Sequence, residues 1–174
     1  AGLALTVKRL DRVPSRIWVL CGDSEMAEGS IWEAFDHASF WELGNLIAIV
    51  DVNRLGQTGE TMHGWDLDAY AARARSFGWE AIEIDGHDVA EVEAAYAKAE
   101  QSDRPTAILA RTKKGAGVPA VEDLPDKHGK PLDDPEAAIA ELGGERELTV
   151  ELAALPSAEA HSFETSDGER PRFE

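Results

Sequence analysis

The sequence predicts an α/β fold, a parallel β-sheet with helices on both faces. Apolar runs typical of buried strands alternate along the chain with segments that have helical periodicity. Polar and glycine-containing loops separate these segments. Strict alternation of strand and helix is typical of parallel sheets, because each crossover places a helix on one face of the sheet.

The first part of the chain predicts two strands and one helix. The continuous apolar run "RIWVLC", residues 16–21, predicts a strand that is covered on both faces. Residues 30–43 have apolar side chains at helical spacing, with Gly44 at the expected C-cap. "NLIAIVDVN", residues 45–53, is rich in Ile and Val and predicts a second buried strand, and a polar loop follows at 54–65.

The second part continues the alternation. We expect a helix from Asp66 to Gly78 and a strand at 80–85. A helix at 88–101 with Asp88 as its N-cap precedes a strand at 105–112. After these come a loop-rich segment and a short helix near 134–142.

Composition limits the possible functions and partners. The chain of 174 residues suits one domain and carries a net charge of −17, which argues against a nucleic-acid or anionic-membrane partner. No apolar run approaches the roughly 20 residues that a membrane span needs, so we expect no membrane partner. Cys21 is the one cysteine, which fits a reducing, cytoplasmic location. The start "AGLALTVKRL" lacks an initiator Met, so we expect either processing or a piece of something longer.

Two polar side chains follow the first two predicted strands and suggest a metal site. Asp23 comes after the first strand and Asn53 after the second, and Gly22 allows a sharp turn. Ligands of parallel sheets bind outside the carboxyl ends of the strands. A carboxylate, an amide oxygen, a backbone carbonyl and phosphate oxygens together suit Mg²⁺, and the helix that starts near Ser30 would favour an anion there. From spacing alone, an alternative stays open in which Asp23 is a turn residue and Asn53 a loop residue.

Longer blocks of sequence resemble a known family. "GDSEMAEGSIWEA" followed by "NLIAIVDVNRLGQ" resembles the thiamine-diphosphate fingerprint. "SFGWEAIEIDGHD", "ARTKKGAGVPAVED" and "HGKPL" are similar to transketolases in particular. The resemblance covers about residues 10–142. It implies a partial thiamine diphosphate-binding domain at 1–142. Residues 143–174 are acidic, contain Gly, Pro and Ser and have no clear strand pattern, which predicts an acidic linker or tail.

The resemblance also implies a cofactor site. It implies that Asp23 and Asn53 are Mg²⁺ ligands, with Leu55 adding its backbone carbonyl, and that Ca²⁺ or Mn²⁺ can substitute for Mg²⁺. The other residues that the resemblance places around thiamine diphosphate are Gly22, Ser24, Gln57 and Lys114. Ser24 stands where the family usually has glycine, and a positive φ there would cost a serine about 1 kcal/mol.

Three further residues have roles implied by the resemblance alone. His128 matches a catalytic histidine that helps proton transfer around the substrate. Glu28 and Glu33 match an acidic pair at the dimer interface that links two active sites.

The implied activity is transfer of a two-carbon ketol unit between sugar phosphates. The resemblance also implies a homodimer, or a partner chain that carries the pyrimidine-binding domain, so we expect the isolated chain to be incomplete and inactive. One alternative is a truncated or split subunit that is not catalytic without a partner. Another is a related enzyme such as 1-deoxyxylulose-5-phosphate synthase. A nicotinamide-binding Rossmann domain is disfavoured, since no G-x-G-x-x-G follows the first strand.

Overall fold

The computed structural model describes residues 1–12 and 14–151, and it confirms the predicted α/β fold. A four-stranded parallel sheet has the order β1-β2-β4-β3. Its strands are β1 (Ile17–Gly22), β2 (Leu46–Val52), β3 (Glu80–Asp85) and β4 (Thr106–Arg111). The helices are α1 (Gly2–Thr6), which continues as a π-helical turn (Val7–Asp11), then α2 (Gly29–Phe40), α3 (Leu67–Ser76), α4 (Val89–Glu100) and α5 (Pro135–Glu141), with a 3-10 turn at Glu25–Ala27.

Helices cover both faces of the sheet, as the alternating sequence predicts. One core cluster joins the β2 side chains Leu46, Ala48 and Val50 to residues of α2 and α3. The other joins Ile47 and Ile108 to the small residues Ala95 and Ala99 of α4. Successive residues of β2 therefore face opposite layers, which is why this strand is apolar at every position except Asp51.

Short-range capping places the helix starts where the sequence predicts them. Asp66, Asp88 and Asp134 are the N-caps of α3, α4 and α5. Each carboxylate accepts a backbone N–H of the first turn, at 3.1, 2.8 and 3.0 Å, from Ala69, Ala90 and Ala137. These bonds satisfy N–H groups that have no partner inside the helix.

The prediction that the first strand is covered on both faces is wrong. β1 is an edge strand, and in the described part of the chain it pairs with β2 only. Leu20 is 72% exposed, and Trp18 and Val19 are each 37% exposed. An apolar run indicates that a strand tends to be buried, but it does not say whether this chain contains the elements that bury it.

The predicted C-cap at Gly44 is also wrong. Helix α2 ends at Phe40, with Trp41 as its C-cap, and Glu42 takes the left-handed conformation with φ 53°. Gly44 is needed for a different reason. A Cβ at this position would lie 2.3 Å from the backbone oxygen of Asp103, so the two chain segments approach too closely for any side chain.

The described chain ends with a segment that has no regular secondary structure. Residues Ala1–Gly144 form one compact unit, and residues 145–151 contain no helix or strand. The rest of the predicted tail, 152–174, lies outside the described residues. Within the described residues, every helix is too short or too polar to cross a membrane.

We predict that Gly44→Ala lowers the free energy of unfolding by about 1–3 kcal/mol, the usual cost of overpacking. The new methyl group would collide with the Asp103 carbonyl, so the backbone must shift. Chemical denaturation monitored by tryptophan fluorescence measures the change. Gly29→Ala is the matched control, because its Cβ would meet nothing within 4 Å. Equal stabilities for the two variants would contradict the close approach.

Candidate functional site

A cavity of about 1060 Å³ opens at the carboxyl ends of β1 and β2. Its walls come from the turn after β1, from the loop between β2 and α3, and from the segment after β4. These parts meet because parallel strands end at the same edge of a sheet. The cavity therefore forms where ligands of such sheets bind.

Asp23 is a buried carboxylate at the floor of this cavity. It is 3% exposed, and its Oδ2 accepts hydrogen bonds from Arg54 N at 2.6 Å and Thr61 Oγ1 at 3.1 Å. Neither of these bonds engages Oδ1. Burial raises the pKa of Asp23 above its ordinary value, hydrogen bonds from Arg54, Thr61 and the Ser24 backbone lower it, and the nearby charge of Asp51 raises it further. The site thus disfavours the charged form of Asp23 when no cation is present.

Asn53 lines the same cavity as Asp23, and hydrogen bonds hold both ends of its amide. The residue is 8% exposed. Its Nδ2 donates to Asp51 Oδ2 at 3.1 Å, and its Oδ1 accepts from Leu55 N at 3.0 Å. Leu55 is 4% exposed, and it forms an isolated antiparallel bridge with Glu60 across the loop.

Arg54 connects the loop after β2 with the segment after β4. Its φ is +63°, which allows the backbone N–H to donate to Asp23. The guanidinium donates to Asp123 Oδ2 at 2.8 Å and pairs with Glu60. It also lies 4.6 Å from the ring centroid of Trp65, a cation–π contact. Arg54 thereby holds two walls of the cavity together.

Lys114 and His128 form a pair on the wall that follows β4. The Lys114 Nζ lies 2.8 Å from His128 Nδ1, and both residues line the cavity. An ammonium group can only donate, so Nδ1 of His128 is the acceptor in this pair. The segment is fixed nearby by Glu122, which accepts from Gly117 N and pairs with Lys113. These two contacts lower the pKa of Glu122.

Comparison with known proteins identifies the family. The family model described as "Transketolase, thiamine diphosphate binding domain" matches residues 6–153. The chain belongs to the transketolase family. It is 42% identical to human transketolase over 160 residues, which are 91% of this chain and 25% of the relative. It is 48% identical to the bovine transketolase-like protein 2 over 132 residues, or 75% of this chain and 21% of that relative.

Solved transketolase structures have the same fold. The Campylobacter jejuni enzyme matches with a TM-score of 0.75 and 29% identity, over 85% of this chain and 24% of that one. Pichia stipitis transketolase in complex with sedoheptulose-7-phosphate matches with a TM-score of 0.73 and 29% identity, over 88% of this chain and 24% of that one. The chain thus spans about a quarter of the length of these relatives.

The cavity brings together all but one of the residues that the transketolase resemblance singles out. Its lining includes Gly22, Asp23, Ser24, Glu28, Asn53, Leu55, Gln57, Lys114 and His128. Glu33 is exposed on α2 and does not line the cavity. Glu28, at the N-cap of α2, is exposed as well. The roles of these residues remain proposals.

Ser24 causes no backbone strain in this transketolase domain. Its φ is −63° and its ψ is −36°, both in the right-handed helical region. The position does not need the positive φ that would penalise a serine. The turn is held instead by Glu25, whose Oε2 accepts from Gly22 N at 2.7 Å.

Sequence reasoning missed four residues that shape the transketolase site. Glu25, Asp51, Arg54 and Thr61 hold the turn, the amide of Asn53 and the carboxylate of Asp23. A signal existed for Asp51 alone, a single carboxylate inside an otherwise apolar strand. A carboxylate in such a strand needs hydrogen-bond partners there, which indicates a polar site beside it.

We predict that Asp23→Asn stabilises the cofactor-free protein near neutral pH. The raised pKa means that the folded state holds the Asp23 proton more tightly than the unfolded chain does. The stability that Asp23 contributes is therefore complete below the ordinary pKa of an aspartate, and it is lost as pH rises through the raised folded pKa.

An amide at this position avoids that loss, so the melting temperature should rise above this pH window and converge with the native value below it. Thermal unfolding across pH in the presence of a chelator measures the difference. Asp36→Asn, at an exposed position of α2, controls for the general loss of one negative charge. An Asp23→Asn protein that melts below the native protein at neutral pH would contradict the prediction.

Proposed function

We propose that this chain binds the Mg²⁺-bound diphosphate of thiamine diphosphate in a transketolase that transfers a two-carbon ketol unit between sugar phosphates. The observation that carries the proposal is that Asp23 and Asn53 are both buried and both line this one cavity at the carboxyl ends of β1 and β2. The family match to a thiamine diphosphate-binding domain supports the choice of cofactor.

The donor atoms at this point fit a hard divalent cation. The hydrogen bonds that Asp23 accepts from Arg54 N and Thr61 Oγ1 both end on Oδ2, so neither occupies Oδ1. The amide oxygen of Asn53 faces the loop after β2, where it accepts from Leu55 N. Leu55 would add its backbone carbonyl, and phosphate oxygens would complete an octahedral set. A cation would also compensate the buried charge whose cost raises the pKa of Asp23. Ca²⁺ or Mn²⁺ would find the same oxygen ligands.

The remaining cavity residues would bind and orient the cofactor and the substrate. When bound, thiamine diphosphate supplies the carbon nucleophile for the two-carbon transfer, and the protein positions it. Gly22, Ser24 and Gln57 lie beside the proposed diphosphate position, and Lys114 adds a positive charge that suits phosphate groups. In the proposed reaction, His128 moves a proton at its ring nitrogens while Lys114 orients the ring.

The proposed active unit includes more than this chain. The chain spans about a quarter of its relatives, so a homodimer of the longer protein, or a partner chain with the pyrimidine-binding domain, would complete the site. Glu28 and Glu33 are both exposed, which is expected of interface residues in a single subunit. We place the proposed enzyme in the cytoplasm, in line with the single cysteine of this chain.

We predict that Asp23→Ala and Asn53→Ala each weaken Mg²⁺-dependent binding of thiamine diphosphate by more than about tenfold, or ~1.4 kcal/mol. Each substitution removes one side-chain oxygen that would bind Mg²⁺. Calorimetric titration of the cofactor, with Mg²⁺ and then with a chelator, measures the Mg²⁺-dependent part. Asp36→Ala serves as the control. Unchanged affinity in either cavity variant would exclude that residue as a ligand.

We also predict that the pure chain has no transketolase turnover. The proposed pyrimidine-binding part is supplied by further sequence or by a partner, and the cavity alone provides only the diphosphate end. The assay follows xylulose 5-phosphate and ribose 5-phosphate with cofactor and Mg²⁺ present. Steady turnover by the pure chain, proportional to its concentration, would overturn the incomplete-site part of the proposal.

A further inference from the structure

Asp51 is a cavity carboxylate that contacts the side chain of the proposed metal ligand Asn53. It lies in β2, two residues before Asn53, and it is partly buried. Its Oδ2 accepts from Asn53 Nδ2 at 3.1 Å, and its Oδ1 accepts from the hydroxyl of Thr112. With a donor on each oxygen, Asp51 is poorly placed to be a metal ligand itself.

The contacts of Asn53 admit one orientation of its amide. A carboxylate only accepts hydrogen bonds, so the Asn53 atom that faces Asp51 must be the nitrogen. A backbone N–H only donates, so the atom that faces Leu55 N must be the oxygen. An amide oxygen has two lone pairs, and the bond from Leu55 N uses one of them. The second lone pair remains for a cation.

Thr112 fixes Asp51 in turn. Its backbone N donates to Val52 O at 3.1 Å, and its backbone O accepts from Trp65 Nε1 at 2.9 Å. The Thr112 hydroxyl is therefore held at the end of β4 beside β2. The hydrogen bonds run from this anchored residue through Asp51 to the amide of Asn53.

We propose that Asp51 is a positioning residue that sets the amide orientation of Asn53 and keeps its oxygen available to the metal. The inference rests on the proposed function for the identity of the bound group, but the amide orientation can be tested without any cofactor. Outer partners of metal ligands typically change metal affinity about 10- to 100-fold when they are replaced.

Two substitutions separate orientation from charge. Asp51→Leu keeps much of the side-chain volume but cannot accept a hydrogen bond. Asp51→Glu keeps the charge but moves the carboxylate by one methylene. Both variants should weaken Mn²⁺ binding in the presence of thiamine diphosphate by about 10- to 100-fold, as measured by electron paramagnetic resonance of free Mn²⁺. Native Mn²⁺ affinity in Asp51→Leu would overturn the proposal. Native Mn²⁺ affinity in Asp51→Glu would overturn it as well, because the negative charge alone would then explain any loss of affinity in Asp51→Leu.

The second readout uses the cofactor-free chain. The Asn53 side-chain NH₂ signals, assigned by their loss in Asn53→Ala, should shift and exchange faster with water in Asp51→Leu. Unchanged signals would overturn the proposal even if metal affinity fell.

Thr112→Val gives a charge-neutral test of the same network, because it removes the hydroxyl that anchors Asp51. It should move the Asn53 signals in the same direction as Asp51→Leu. Thr106→Val, at the other end of β4, removes a buried hydroxyl that bonds Arg104 O instead, so it should leave the Asn53 signals unchanged. Equal effects of the two threonine variants would contradict the role of Thr112. A native chain that binds no Mn²⁺ with the cofactor would contradict the proposed function, while the signals of Asn53 would still decide the orientation.

Discussion

The site depends on the parallel pairing of β1 with β2. The register places Gly22 opposite Asp51, and the Asp23 N–H donates to Asp51 O at 3.1 Å directly after the last paired residues. This bond fixes the point along β2 at which the chain turns away from β1. A shift of the register by one residue would also move every side chain of the strand to the opposite face. The distance between Asp23 and Asn53 is therefore determined by the sheet, and the loops only refine it.

The proximity of the Asp23 and Asp51 carboxylates at this edge of the sheet destabilises the fold. Asp51 lies close enough to Asp23 for its charge to raise the pKa of Asp23. Hydrogen bonds from Arg54, Thr61, Asn53 and Thr112 distribute that negative charge. Because the pKa of Asp23 stays raised, these donors offset the cost of burial only in part. Residual strain of this kind is typical of binding sites, which are stabilised fully only when the ligand is bound.

Features that depend on neighbouring residues in the chain could be predicted from the sequence. The helix start near Asp66, the N-cap at Asp88 and the strand at Glu80–Asp85 depend on local patterns, and the structure confirms them. The exposure of Leu20 could not be predicted, because it depends on whether another element lies beyond β1.

The same distinction holds for the site. Asp23 and Asn53 could be found because both follow apolar strands, whereas the residues that orient them could not. The contact between Asp51 and Thr112 joins residues 61 positions apart in the chain, and neither residue type indicates the other. The need for a glycine at position 44 likewise arises from a distant segment, at Asp103. Resemblance to the family pointed to the cavity wall at Lys114 and His128, but it said nothing of the Arg54 bridge that holds this wall in place.

The most direct test of the account is a crystal structure of the chain grown with Mn²⁺ and thiamine diphosphate, with Mn²⁺ located by its anomalous scattering. The account predicts one strong peak at the carboxyl ends of β1 and β2, about 2–2.6 Å from oxygen atoms of Asp23 and Asn53 and from diphosphate oxygens. A diphosphate in the cavity without metal contact to these two residues would contradict it. A Mn²⁺ ion bound at another part of the chain would do so as well.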